Sequence, residues 1–585
     1  MEYIILFVVL FLMLVIYFVR NVVEEKNRKI AFEKSLRTDF GKHPAKRYPE
    51  GRMEAMKRHA GRYIPKGSGG SGKLSFPKGA AIPKDLNEWG ISVSFVDEIT
   101  CNDLDLDGLF QRIDRCYSAA GEETLYRILR NPVFDQKELV RRHELIDYFM
   151  KNEDQRVQLQ MYFAMVGKTG KYSALDYLDS VTDLELQSNR RHIAVLAFMA
   201  AAVAIAFFSQ GLGVFLLICL IIYNFLTYFK EKRRIDPYIT TFGYFLRILD
   251  AAKELEDMDL SILSENTERI RKSRECFRGF ANFAFFLTGQ NDASGSPADI
   301  VLEYLRMGLH LNLIKFNTML EQVQKNQDAI ETILWEMGYI EAMISAAEFA
   351  KSLPAYCFGQ LEESSRKLTA QDICHPLIDD PVSNDISLGK SLLLTGSNAS
   401  GKSTFLKTIA IAQILTQTIG IVPAKVFQTD FYRVYTSMAL RDDLSGGRSY
   451  FIVEIESLKR ILDAAAEKEK YPVMCFIDEV LRGTNTVERI AASTEILSGL
   501  DNQGVFTFAA THDIELTSLL EGQFTNCHFT ETVKEGDVQF SYKLQQGRAQ
   551  SRNAIRLLGL IGYDEEIVDR ATKRAEEFIE TGEWN

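Results

Sequence analysis

Residues 396–403 read Gly-Ser-Asn-Ala-Ser-Gly-Lys-Ser and satisfy the pattern G-x-x-x-x-G-K-[ST] at every fixed position. The pattern constrains the fold first, because it requires a strand entering a tight turn and a helix leaving it. The flanks comply: Ser391–Thr395 is a short apolar run that reads as a buried strand, and Thr404–Thr418 is an apolar-periodic helix. In that setting Gly396, Ser397, Asn398, Ala399, Ser400 and Gly401 curl the backbone until its N–H groups converge on phosphate oxygens. Lys402 reaches the β- and γ-phosphates, the Ser403 hydroxyl can ligate Mg²⁺, and Thr404 continues into the helix whose N-terminus favours anions.

Three further segments fit the same site. Met474-Cys475-Phe476-Ile477-Asp478-Glu479 is an apolar strand ending in two adjacent carboxylates. Neighbours on a strand face opposite sides, so Asp478 can hold Mg²⁺ while Glu479 orients or deprotonates a water attacking the γ-phosphate. Leu444-Ser445-Gly446-Gly447-Arg448 looks like the signature loop of ATP-binding-cassette proteins, whose Ser and Gly N–H groups meet the γ-phosphate bound on a partner subunit. Ser445, Gly446 and Gly447 are therefore candidate contacts across a dimer. His512 follows the apolar run Val505–Ala510 and is a candidate γ-phosphate sensor. Plainer readings exist for each: a solvated acid pair, a Ser/Gly turn, a structural histidine. The order of the segments along one chain favours the shared site. From about residue 370, short β-like runs alternate with helices, which predicts a mostly parallel sheet wrapped by helices.

A chain of 585 residues exceeds one hydrophobic core. Its net charge of −11 gives no bulk attraction to nucleic acid, although a local basic patch remains compatible with it. The eight cysteines are scattered without C-x-x-C spacing, which argues against a zinc site or a disulfide framework and fits a reducing compartment.

Three apolar stretches are long enough to cross a bilayer: Tyr3–Val19, Ile193–Phe208 and Leu212–Phe229. The first lacks the basic leader and small-residue cleavage site of a signal peptide. The second and third carry no charge between Arg191 and Lys230, unlike ordinary core helices. Arg190 and Arg191 precede this pair, and Lys230, Lys232, Arg233 and Arg234 follow it. By the positive-inside rule it is a hairpin with both ends cytoplasmic, and the first segment runs from outside to inside. Pro65–Gly72 reads as a flexible linker.

In ordered detail the chain resembles the MutS family of DNA mismatch-recognition ATPases. His375-Pro376-Leu377-Ile378, Asn384-Asp385, the phosphate loop, Val422-Pro423-Ala424, Asp442 through Ser449, Asp478-Glu479 with Arg482-Gly483-Thr484, Ala510-Thr511-His512 and Lys543-Leu544 with Gly547 follow the family order. Gly121–Asp135 is similar to the start of the family's helical core, where a Gly opens a helix. The resemblance implies a helical core and lever, then an ABC-type ATPase domain that dimerises, with ATP and Mg²⁺ as cofactors and DNA as a partner. Departures exist. Ser397, Ala399 and Ser400 replace the usual Pro, Met and Gly, and Leu481 stands where a Gly is usual. The mismatch-reading domain has no counterpart before residue 95.

The expectation is an α-helical core/lever region with transmembrane helices followed by an α/β P-loop ATPase domain. Its parts are a transmembrane helix (1–20), a juxtamembrane segment and linker (21–94), a helical core (95–190), a transmembrane hairpin (191–230), a core/lever second part (231–369) and the ATPase domain (370–585). The candidate catalytic residues are Glu479, Lys402 and His512; Ser403 and Asp478 are the metal ligands. The product is a multi-pass cell-membrane ATPase with its ATPase domain in the cytoplasm, homodimeric through that domain. It acts on mismatched or structured DNA or, alternatively, on a protein or lipid partner without DNA.

Overall fold

The computed structural model describes residues 2–42, 48–61, 95–282, 308–362, 366–397, 400–438, 450–467, 469–481, 484–534, 537–548, 555, 558 and 562–581. The linker at 65–72, Asn398, Ala399, and Ser445 to Gly447 lie outside them. Helices include Glu2–Thr38 (α1), Arg52–His59 (α2), Glu98–Asp103 (α3), Ala119–Arg130 (α4), Arg190–Phe208 (α5), Gln210–Ile235 (α6), Gln327–Ser352 (α7), Lys402–Gln417 (α8), Tyr450–Ala466 (α9) and Thr486–Asn502 (α10). Strands are Cys357–Phe358 (β1), Gln360–Glu362 (β2), Leu368–Ile373 (β3), Asn384–Leu388 (β4), Ser391–Thr395 (β5), Ile421–Val422 (β6), Val426–Asp430 (β7), Arg433–Ser437 (β8), Val473–Asp478 (β9), Phe506–Thr511 (β10), Phe524–Lys534 (β11) and Asp537–Gln546 (β12). The chain divides into two compact units.

The first unit comprises Met1–Ile82, Asp114–Arg127 and Tyr148–Ser345, and its described elements are helical. Ser118 caps the start of α4 by accepting from the Gly121 N–H at 3.0 Å. The Glu341 carboxylate accepts in turn from the N–H groups of Tyr117 and Ser118 and from the Ser118 hydroxyl. A Cβ on Gly121 would overlap that carboxylate, which explains why a glycine opens this helix. Arg52 of α2 is buried and pairs with Glu122 and Glu123, so the segment after α1 is seated in this unit by a paired charge.

Helices α5 and α6 are each long and apolar enough to cross a membrane, and only 17% of either apolar window is buried. The turn between them is a single residue, Ser209, in extended conformation. At Gly213 a side chain would overlap the Ala206 backbone, so the helices touch closely there. The hairpin is not apolar throughout. Asn224 is buried and donates to the Gly308 carbonyl at 2.6 Å, and Tyr228 accepts from Asn312 at 2.8 Å. The apolar N-terminal run forms the first half of α1.

The second unit comprises Pro83–Ile113, Ile128–Asp147 and Ala346–Asn585, and holds mixed α/β sheets. Its six-stranded sheet has the order β12-β11-β5-β10-β9-β8; neighbours from β11 to β8 pair parallel, and β12 pairs antiparallel with β11. Strands β5 and β10 are buried at every position, as continuous apolar strands covered on both faces should be. A four-stranded sheet, β2-β7-β3-β4, has no counterpart in the sequence expectation. Its strands are short, polar and half-buried, so they give only a weak alternating signal.

Candidate nucleotide site

Strand register assembles the site. β10 lies between β5 and β9, with Thr511 opposite Thr395 and Ala510 opposite Asp478. All three strands run parallel, so their C-terminal ends release the 396–403 loop, the two acids and His512 at one sheet edge. Open α/β sheets bind ligands at such an edge.

The loop adopts backbone angles that glycine tolerates best. Gly396 has φ 148° and Gly401 φ 106°, and Gly401 precedes the first residue of α8, Lys402. A Cβ on Gly396 would sit 3.0 Å from Ser400 Oγ and 3.1 Å from the Phe529 carbonyl. Lys402 is buried, and its ammonium donates to the carbonyls of Gly396 and Ser397, both at 2.8 Å. His512 Nε2 lies 2.6 Å from Glu479 Oε1 and 3.5 Å from Lys402 Nζ. A carboxylate only accepts, so Nε2 is the donor to Glu479. The three residues expected to be catalytic thus meet at one point.

Glu479 and Leu481 both occupy the left-handed region, with φ 63° and 59°. Such angles cost a non-glycine residue about 1–2 kcal/mol and occur preferentially at functional sites. The Glu479 N–H is held by the Ala510 carbonyl at 2.9 Å, and Leu481 is buried in a cluster with Leu497, Leu500 and Val505. On the far side, Arg489 of α10 forks onto Asp513, at 2.8 Å from Nε, which steadies the turn beyond His512.

Asp478 has a buried Oδ1 without a hydrogen-bond partner, and so does Ser400 at Oγ. An orphaned, buried carboxylate oxygen at a strand end is suited to a cation. With the Ser403 hydroxyl at the start of α8 it forms an oxygen donor set appropriate to Mg²⁺. Among the described residues there is no cluster of three or more His, Cys, Asp or Glu that would hold a metal unaided. Mg²⁺ typically relies on one or two carboxylates together with phosphate oxygens.

A cavity of about 520 Å³ opens beside the loop, lined by Ser397, Ser400 to Phe405 and Glu479 on one side and by Ile378, Val382 and Tyr542 on another. Asn384 builds this second wall: it donates to the Tyr542 carbonyl at 3.0 Å and accepts from the Leu544 N–H at 2.7 Å. The sequence segments around Asn384 and Lys543, about 160 residues apart, are therefore one structural feature. His375 also lines the cavity; burial, aided by the charge of Lys407, pushes it down to about 4, so the imidazole is neutral near pH 7. Sequence reasoning missed Val382, Phe529 and Tyr542 as cavity residues, and no local pattern marks them.

Residues 392–579 match MutS domain V. The chain is 29% identical over 287 residues to a DNA mismatch repair protein MutS 2 of Haloarcula marismortui, covering 44% of this chain and 30% of that protein. It is 33% identical over 202 residues to DNA mismatch repair protein MutS of Thermus thermophilus, covering 34% and 24%. It is 31% identical over 271 residues to that of Thermotoga petrophila, covering 44% and 33%. The matched part thus spans a third or less of each relative's length. These likenesses support membership of the MutS family.

Proposed function

We propose that this chain is a MutS-like ATPase, anchored in a membrane, with its nucleotide site on the cytoplasmic side and active as a dimer. One observation carries the reading: Lys402, Glu479 and His512 meet at the edge where β5, β9 and β10 end, beside a cavity with a phosphate-loop floor. The phosphates of ATP would lie on the loop N–H groups and the N-terminus of α8. The base would rest against Ile378, Val382 and Tyr542, an apolar wall matched to its flat face.

Lys402 would exchange the carbonyls of Gly396 and Ser397 for phosphate oxygens, replacing neutral acceptors by charged ones. Ser403 and Asp478 would hold Mg²⁺, which supplies charge neutralisation on the β- and γ-phosphates. Glu479 takes the proton of the attacking water as its oxygen bonds to the γ-phosphorus. The bond from that phosphorus to the β–γ bridging oxygen breaks, giving ADP and phosphate. His512, donating to Glu479, is suited to report loss of the γ-phosphate. Ser445, Gly446 and Gly447 of a second copy would complete the site across the dimer, as the resemblance implies.

The membrane reading is supported by the exposed apolar faces of α5 and α6, including Phe207 at 85% and Phe208 at 94% exposure, and by the basic residues at the hairpin's base. Patches of this kind are otherwise costly in water. The output of the ATP cycle is read as binding to mismatched or structured DNA, since the relatives are named for DNA mismatch repair. The same hairpin favours a second reading, in which ATP-driven motion acts on a membrane protein or lipid. ATP turnover measured with no DNA and with duplex, mismatched or branched DNA separates them. Stimulation or inhibition by structured DNA supports the first reading; indifference to every DNA, with a response to lipid composition, supports the second.

A further inference from the structure

The short helix α3 lies far from the nucleotide cavity in sequence, yet it seals the edge of the sheet that builds it. β8 is the last strand on that side, and its free edge faces α3. Thr100 Oγ1 accepts from the Thr436 N–H at 3.2 Å. Asp103 Oδ2 accepts from the Thr436 hydroxyl at 2.7 Å and from the Met438 N–H at 2.9 Å. Asp97, the N-cap of α3, pairs with Arg460 of α9, whose guanidinium also donates to the Thr436 carbonyl. Thr100 and Asp103 are both buried.

Helix α3 is itself rooted. The Val96 N–H donates to the Arg130 carbonyl at 3.0 Å, and Arg130 pairs with Glu98 at 2.6 Å. One six-residue helix therefore fixes the exit of β8 and, through Arg460, the helix α9. These are the elements between which residues 439–449 run. A surface helix covering an edge strand usually serves only to block its free N–H and C=O groups. Here a buried carboxylate reaches past the strand to its last N–H, Met438, a contact that edge protection does not require.

We propose that Asp103 is a positioning residue for ATP hydrolysis, setting where the chain leaves β8 and hence how residues 439–449 are presented. This rests on the ATPase reading above. The nucleotide cradle is built on β5 and α8, which α3 does not bond, so Asp103 affects turnover and not ATP affinity.

The test measures ATP dissociation constant and turnover number in the full-length detergent-solubilised protein. Asp103→Ala lowers turnover at least tenfold with the dissociation constant within twofold of wild type. Asp103→Asn keeps an oxygen for the Met438 N–H and restores turnover to within about threefold. Thr100→Val, which removes only the acceptor for the Thr436 N–H, gives an intermediate loss and guards against a folding defect in the alanine variant. Turnover within twofold of wild type in both Asp103→Ala and Thr100→Val overturns the proposal. So does a parallel loss of binding and turnover in both. A wild-type protein that binds no ATP overturns the ATPase reading itself, a result distinct from either.

Discussion

His512 Nε2 and Glu479 Oε1 are 2.6 Å apart, at the ends of two neighbouring parallel strands, β10 and β9. The contact gives the carboxylate one fixed acceptor direction and leaves its second oxygen for water. His512→Ala removes that constraint while leaving the phosphate loop intact. The expected outcome is a fall in ATP turnover of about 10- to 100-fold, smaller than the 10²–10⁴ range for loss of a general base. Affinity for ATP stays within a factor of about two. Steady-state turnover alongside equilibrium binding of a fluorescent ATP analogue checks this.

Leu481 combines a left-handed backbone with a buried side chain, and the two features pull in opposite directions. Replacement by glycine loses about 2 kcal/mol of burial and recovers about 1 kcal/mol of backbone strain. Replacement by alanine loses most of the burial and keeps the strain. Leu481→Ala is therefore expected to destabilise more than Leu481→Gly, by about 1 kcal/mol. Denaturation midpoints of the two variants decide it; equal midpoints, or glycine the worse, contradict the backbone argument.

Glu341 is buried beneath the start of α4, and burial pushes its carboxyl up to about 7 despite three hydrogen-bond donors. The folded state thus holds this proton over a pH range in which the unfolded chain, near 4.5, has released it. Its contribution to stability is greatest below pH 4.5 and declines as pH rises towards 7, by about 3 kcal/mol in all. Glu341→Gln keeps a hydrogen-bond acceptor and cannot ionise. Relative to this variant, the wild type should lose stability between pH 5 and pH 7.5; a pH-independent difference rules the account out.

Cys219 lies on an exposed face of α6, and Cys276 is exposed elsewhere in the helical unit. If α5 and α6 cross a bilayer, Cys219 faces lipid. In inside-out membrane vesicles a membrane-impermeant maleimide should modify Cys276 and spare Cys219, and detergent should make both reactive. Single-cysteine proteins followed by mass spectrometry report this. Rapid labelling of Cys219 in intact vesicles places the hairpin in water instead.

Much of the site was legible because its parts are local. The loop at 396–403, the strand ending at Asp478-Glu479 and the strand before His512 each announce themselves by residue type and apolar run. Strand order then brings them together, and that order is the expected one for a mostly parallel sheet. The pairing of Asp103 with Met438, 335 residues away, was not legible. A buried Asp on a six-residue helix has no periodic signature, and its meaning depends wholly on what packs against it. The same holds for Gly121, whose role is set by Glu341, and for Tyr542, which reaches the cavity only because Asn384 ties β12 to β4. Leu481 shows the converse: its side chain reads as a core residue, and the left-handed backbone beneath it is invisible to hydropathy.

The central claim is that Glu479 acts on water at a site where Lys402 grips ATP, and one paired measurement tests it most directly. ATP turnover and ATP binding are determined for the wild type, Glu479→Gln and Lys402→Ala in the presence of Mg²⁺. The account predicts that Glu479→Gln retains wild-type affinity and loses at least 100-fold in turnover, and that Lys402→Ala loses binding itself. Glu479→Gln turning over at the wild-type rate would contradict it, as would Lys402→Ala binding ATP undiminished.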